Sequence, residues 1–271
     1  MPELPEVETT RRGLAPVLEG QRITRVVVRE RRLRWRLPAG FEAALEGRRV
    51  RRVERRAKYL LVATDRGTLI VHLGMSGSLR VVDPALAAGP HDHVDLVLAS
   101  GRCVRFNDPR RFGSLHYVEG DPHAHPLLRA LGPEPLSADF NAAYLYARTR
   151  RRRVAIKQLL MNAAVVVGVG NIYASEALFR ARVRPQRAAG RLSRAEVARI
   201  ATAVRRVLAA AIRVGGTTLR DYVNADGMPG YFRQKLYVYE RAGQPCRVCR
   251  TPVRQRLQGQ RSTYWCPTCQ R

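Results

Sequence analysis

The chain has 271 residues, 45% of them hydrophobic and 26% charged, which suits one large or two moderate globular domains and excludes a disordered chain. Its formal net charge is +27, an excess that repels itself unless a polyanion balances it. Nucleic acid is therefore the expected partner, ahead of an anionic membrane surface, because no basic amphipathic helix carrying Trp or Phe stands out.

Only three of the 49 basic residues are lysines, Lys58, Lys157 and Lys235. Arginine neutralises phosphate but is a poor proton acceptor, so a chain this averse to lysine keeps it where arginine would not serve. A genome rich in G and C is the plainer source of the bias.

The opening residues MPELPEVETT carry three glutamates and no apolar run, so they do not read as a signal peptide. The apolar runs, Ala163–Val167 among them, are too short to span a bilayer. With the cysteine spacing discussed below, this points to a cytoplasmic, reducing compartment. Residues 4–18 predict a helix, with Pro5 and glutamates in its first turns and Val7, Leu14 and Leu18 as apolar positions. Residues 22–120 predict short strands at Ile23–Arg29, Tyr59–Thr64, Thr68–Leu73, Leu79–Val82, Val94–Ala99, Val104–Asn107 and Ser114–Val118, each bounded by Gly, Asp or Pro. Such a series suggests a sandwich or flattened barrel. Lys58 falls beside apolar residues on the strand side of Ala57–Val62, where burial would lower its pKa.

The stretch LGPEPLSADF, Leu131–Phe140, reads as a linker, and beyond it the apolar period becomes helical. Ser193–Gly215 is the clearest helix, opened by a Ser193/Glu196 capping box and closed by Gly215. Near the end, Cys246-x-x-Cys249 and Cys266-x-x-Cys269 have the spacing of a four-thiolate zinc site flanked by a hairpin at Val253–Leu257 and Arg261–Trp265. Two disulfides or a redox pair are the alternative reading. A closed four-cysteine site is structural, and its expected job is to hold Arg254, Arg256 and Arg261 against a duplex. Cys103, inside a strand, reads as a core thiol.

Taken in order, MPELPEVET, RRAKYLL, HLGMSGSLR, HDHVDL, DPRRFG, LGPEPLS, GVGNIYASEALF, GGTTLRD, DGMPGYF and the paired cysteines resemble the formamidopyrimidine-DNA glycosylase and endonuclease VIII family from end to end. The resemblance implies an α+β protein. Residues 1–130 would form an N-terminal catalytic β-sandwich with flanking helices, 131–140 a linker, 141–235 a helix-two-turn-helix domain and 236–271 a β-hairpin zinc finger. It implies a bifunctional glycosylase and lyase for oxidised purines, acting as a monomer in the bacterial cytoplasm, nucleoid-associated, on double-stranded DNA with oxidised bases or abasic sites. Leu4, the Met/Arg/Phe triad and the full lid segment favour the purine branch over endonuclease VIII-like pyrimidine repair. A non-catalytic zinc-dependent DNA-binding protein is the alternative of another class.

By the same resemblance Pro2, exposed when Met1 is removed, is the nucleophile. Glu3 is its acid–base partner, and Glu6 a second acidic residue that positions water. Lys58 assists β-elimination, while Arg261 grips the lesion phosphate. Met75, Arg110 and Phe112 fill the void left by an extruded base, and His91, Arg152, Lys157 and Asn171 hold phosphates. Thr217–Tyr231 resembles a closing lid. The family usually has glycine where this chain has Glu240, a departure expected to disturb the local turn.

Overall fold

An N-terminal helix, α1 (Leu4–Leu18), covers the residues predicted for it and drives Val7, Leu14 and Leu18 into a core. The computed structural model describes residues 2–216 and 236–271, so Lys235 and the lid segment Thr217–Tyr231 lie outside the described residues. The chain divides into two units, Met1–Arg129 with Val214–Tyr231, and Ala130–Arg213 with Phe232–Arg271.

In the first unit eight strands make two antiparallel four-stranded sheets. The first sheet runs β1 (Ile23–Val28), β6 (Asp92–Leu98), β7 (Cys103–Asn107), β5 (Ser78–Val82). The second runs β2 (Val50–Arg56), β3 (Tyr59–Thr64), β4 (Gly67–His72), β8 (Ser114–Glu119), and a short helix, α2 (Phe41–Leu45), adds Phe41 and Leu45 to the core. Inward residues alternate along the strands: Leu60, Val62, Leu69 and Val71 of the second sheet share a cluster with Val94, Leu96, Val104 and Phe106 of the first. Strand β2, sequence VRRVERR, has no plain alternation. A register shift between Val50 and Arg52 turns both Val50 and Val53 inward although they are three residues apart.

Charge is buried on the first sheet as well. Arg105, 1% exposed, faces Asp95 across β7 and β6 and grips its carboxylate through donors at 2.8 and 2.9 Å. Burial, then the neighbouring Asp95, pushes the Cys103 thiol up to about 11, which fits an inert core thiol.

The second unit contains α3 (Ala142–Thr149), α4 (Ile156–Leu160), α5 (Asn171–Arg180), α6 (Arg194–Arg213) and a hairpin of β9 (Arg254–Gln258) and β10 (Arg261–Trp265). Helix α6 opens on the predicted reciprocal cap: Glu196 N–H donates to Ser193 Oγ at 3.2 Å and Ser193 N–H to the Glu196 carboxylate at 2.8 Å. The stretch 131–140 is tied into this unit, because Arg205 donates to the carbonyls of Leu136, Ser137 and Phe140. Glu176 on α5 is fully buried, and its carboxylate accepts the N–H groups of Tyr237, Val238 and Tyr239 at 2.9–3.1 Å. Just beyond, Glu240 sits at φ +54°, the left-handed conformation that glycine adopts without strain.

Candidate functional site

In the first unit Pro2 and Glu3 are buried at the start of α1, with Glu3 as its N-cap. The Glu3 N–H donates to the Glu6 carboxylate at 2.8 Å, which fixes the peptide between Pro2 and Glu3. Glu6 therefore has a structural task at this site, beyond the positioning of water that the resemblance suggests. Gly216 closes over it: a Cβ built there would lie 2.9 Å from Glu6 Oε1.

Lys58 is not inside a strand as its apolar neighbours suggest. It occupies the two-residue turn between β2 and β3, half-buried, because Ala57 takes a left-handed φ of +56° and reverses the chain one residue earlier. Arg55 holds that turn to α1. Its guanidinium pairs with Glu8 at 3.1 Å and donates to the Ala57 carbonyl at 3.1 Å. His72 at the end of β4 packs its ring against Tyr59, 4.9 Å between centroids, and Nδ1 accepts the Gly74 N–H at 3.1 Å. Burial first, then the cationic Lys58 and Arg34, hold His72 down to about 4, so the ring is neutral near pH 7.

Met75 sits on the tight turn after His72, and Arg110 and Phe112 on the loop after β7. The structure brings these two loops together. A Cβ at Gly74, whose φ is +65°, would strike Gly113 N and the Phe112 carbonyl carbon at 2.4 and 2.5 Å, so only glycine allows the approach. Phe112 is 44% exposed, and the Arg110 guanidinium stacks 5.0 Å from its ring centroid. An exposed aromatic capped by arginine, on a loop fixed from beneath, has the form of a wedge. His91 is exposed, and its carbonyl accepts the Asp108 N–H at 3.0 Å.

In the second unit, four cysteine sulfurs, those of Cys246, Cys249, Cys266 and Cys269, lie within 4.8 Å of one another. Cys246 and Cys269 Sγ are 3.9 Å apart, and Cys249 and Cys266 Sγ 3.4 Å. A disulfide needs about 2 Å, whereas a tetrahedral zinc thiolate at about 2.3 Å gives edges near these values. The four thiolates fit one structural zinc ion and leave no open coordination position for catalysis. Arg261 is exposed at the start of β10 and Arg152 exposed on the loop before α4. Lys157 is only 1% exposed; its ammonium donates to the Ser262 carbonyl at 2.9 Å and to Thr263 Oγ1 at 2.8 Å. Asn171 Nδ2 donates to the same Ser262 carbonyl at 3.1 Å, while its buried Oδ1 has no hydrogen-bond partner among the described residues.

His72, Arg55, Asp108 and Glu176 are the site-shaping residues that sequence reasoning passes over. All four lie inside the motifs that carry the family resemblance, and Asp108 adds a turn signature of its own, an Asp-Pro opening a loop that ends in glycine.

Three family profiles match the chain in order: the formamidopyrimidine-DNA glycosylase N-terminal domain over residues 1–115, the formamidopyrimidine-DNA glycosylase H2TH domain over 131–223, and the zinc finger found in FPG and IleRS over 243–271. The chain is 62% identical to the formamidopyrimidine-DNA glycosylase of Thioalkalivibrio sulfidiphilus over 100% of both chains. Among solved structures it is similar to the MutM (Fpg) protein of Thermus thermophilus, with 45% identity, a TM-score of 0.90, and 99% of this chain and 98% of the other covered. It is also similar to a Lactococcus lactis Fpg mutant in complex with a Fapy-dG containing DNA, with 31% identity, a TM-score of 0.92 and 100% of both chains covered.

Proposed function

The chain belongs to the formamidopyrimidine-DNA glycosylase family, a family of base excision repair enzymes, and from that premise we propose that it releases oxidised purines through a Schiff base on Pro2 and then cuts the strand. The observation that carries the reading is the held N-terminus: a buried Pro2 followed by Glu3, whose N–H is pinned by Glu6 at 2.8 Å.

The chemistry follows from those groups. An α-amine has a pKa about two units below that of lysine, so a useful fraction is neutral at physiological pH. Its nitrogen attacks C1′ of the extruded nucleoside as the bond to the base breaks. Glu3 delivers a proton to the sugar ring oxygen, and the ring opens to an iminium. Because Pro2 is a secondary amine, that iminium cannot lose an N-proton to become a neutral imine and stays an electron sink. Loss of a proton from C2′ then expels the 3′ phosphate, and a second elimination expels the 5′ phosphate. Water finally hydrolyses the adduct and returns the free amine.

Lys58, on its turn beside neutral His72, supplies positive charge for the phosphate during elimination, and exposed Arg261 does the same from the hairpin. Lys157 and Asn171 support that hairpin by converging on Ser262. Met75, Arg110 and Phe112 fill the stack when the base leaves, and Arg110 presents its donors to the acceptor edge of an orphaned cytosine. Exposed His91 and Arg152 contact backbone phosphates, a role the net charge of +27 suits. A zinc ion bound by the four cysteines would supply folding energy to the hairpin module. The protein acts as a monomer in the bacterial cytoplasm, on the nucleoid. No described helix is long and apolar enough to cross a membrane.

Borohydride trapping on a duplex with 8-oxoguanine tests the reading. A covalent adduct is expected, lost when the N-terminus is acetylated and reduced by Pro2→Gly. No adduct would remove the proposed mechanism, and an adduct confined to oxidised pyrimidines would move the substrate to the other branch of the family.

A further inference from the structure

Asp108 is fully buried, and its hydrogen bonds to described residues reach the loops around Met75 and Phe112 and the strand end beside them. One carboxylate oxygen accepts the Ser76 hydroxyl at 3.2 Å, from the turn that carries Met75, and the Arg110 N–H at 3.3 Å. The other accepts the Gly113 N–H at 2.7 Å. Its main-chain carbonyl accepts His93 Nε2 at 2.8 Å and the Arg111 N–H at 3.2 Å, and its own N–H reaches the His91 carbonyl.

The Arg110–Phe112 loop needs such support. Arg111 lies at φ +52°, a strained conformation for arginine that persists only when its surroundings over-determine it. The inversion at Arg111 is what lets Arg110 and Phe112 stack on one side of the loop. A buried carboxylate with three neutral donors from two loops makes those loops move as one body, because leaving it unsatisfied would cost more than any single bond returns.

We propose that Asp108 is the positioning residue that joins Met75, Arg110 and Phe112 into a single rigid wedge and so sets how well the enzyme reads the base opposite the lesion. The inference rests on the void-filling role proposed above for those three residues. Asp108 touches neither substrate nor the reacting atoms; it acts through Arg110. An amide in its place can still accept from Gly113 and donate to Ser76, but it then turns a donor toward the Arg110 N–H.

The test is single-turnover excision of 8-oxoguanine opposite cytosine and opposite adenine, with cleavage of a ready-made abasic site measured alongside. In Asp108→Asn, excision opposite cytosine should fall about tenfold, the scale of one lost charged hydrogen bond. It should fall less opposite adenine and less again for abasic cleavage, so the cytosine preference shrinks. Ser76→Ala, which removes only the tie to the Met75 turn and carries the test if Asp108→Asn does not fold, should shrink it in the same direction by less. A merely structural role would lower all three rates by one factor, and an unchanged cytosine preference in both variants overturns the proposal. Arg110→Ala is measured in parallel. If it too leaves the preference unchanged, the wedge reading itself has failed and takes the positioning role with it.

Discussion

The ammonium of Lys157 is bonded to the main-chain carbonyl of Ser262 at 2.9 Å, 105 residues away in sequence. Thr263 Oγ1 at 2.8 Å and the Asn171 amide on the same carbonyl complete the joint, one residue after Arg261. Lysine suits this slot because its tetrahedral ammonium can serve converging acceptors, where a planar guanidinium would not. Lys157→Met should cost about 3 kcal/mol in chemical denaturation, from two lost bonds to a charged donor. Affinity for abasic DNA should drop with it while the zinc content stays the same. A variant with wild-type stability and affinity would show that the joint does not position β10.

Removal of the metal should act on the same strand by another route. Cys246 and Cys266 are part of a small core with Phe179, Val238, Val253 and Tyr264. A strong chelator should release one zinc per chain, and DNA affinity should fall at least about tenfold as the basic hairpin loses its frame. Restoring zinc under reducing conditions should restore binding. Full affinity in the metal-free protein would contradict this.

His72 sets a pH dependence whose sign is fixed by its environment. Its folded value of about 4 lies below the ordinary 6.5, so between those values the unfolded chain binds the proton and the folded one does not. Stability from this group is complete above pH 6.5 and is lost as pH falls toward 4, by up to about 3 kcal/mol. Thermal melts from pH 7 to 4.5 should show the decline, and His72→Gln should flatten it. An equally steep decline in the variant would assign the effect elsewhere.

Gly216, at φ +82° with Glu6 Oε1 2.9 Å from its hypothetical Cβ, should not tolerate a side chain. Gly216→Ala should cost about 1–2 kcal/mol of local strain. By displacing the carboxylate that holds Glu3 N–H, it should also slow borohydride-trapped adduct formation more than it weakens DNA binding. Equal losses in both would point to simple unfolding.

The reverse change is expected to help at position 240. Glu240 occupies a left-handed φ of +54°, and Glu240→Gly should raise stability by about 1 kcal/mol, read as a higher denaturation midpoint. A lower midpoint would mean that its side-chain interactions outweigh the backbone strain.

Much of this architecture was written locally. The helix at Leu4–Leu18, the capped helix opening at Ser193, the strand Tyr59–Thr64 and the cysteine spacing were legible because periodicity, caps and turn residues act over a few positions. Strand β2 was not, since its two inward valines depend on a bulge against β3 and its other residues are charged. Helix α2 is too short to show a period. The motifs likewise named Pro2, Met75, Arg110 and Phe112, and family membership makes their chemistry intelligible. What the sequence alone determined is the family, the spacing of the paired cysteines and where helices begin. The tertiary structure decided that Lys58 stands on a turn, that Lys157 is a buried strut, and that one carboxylate at Asp108 ties together loops more than thirty positions apart. Partners distant along the chain become partners only when packing removes water from between them, and no local pattern records that.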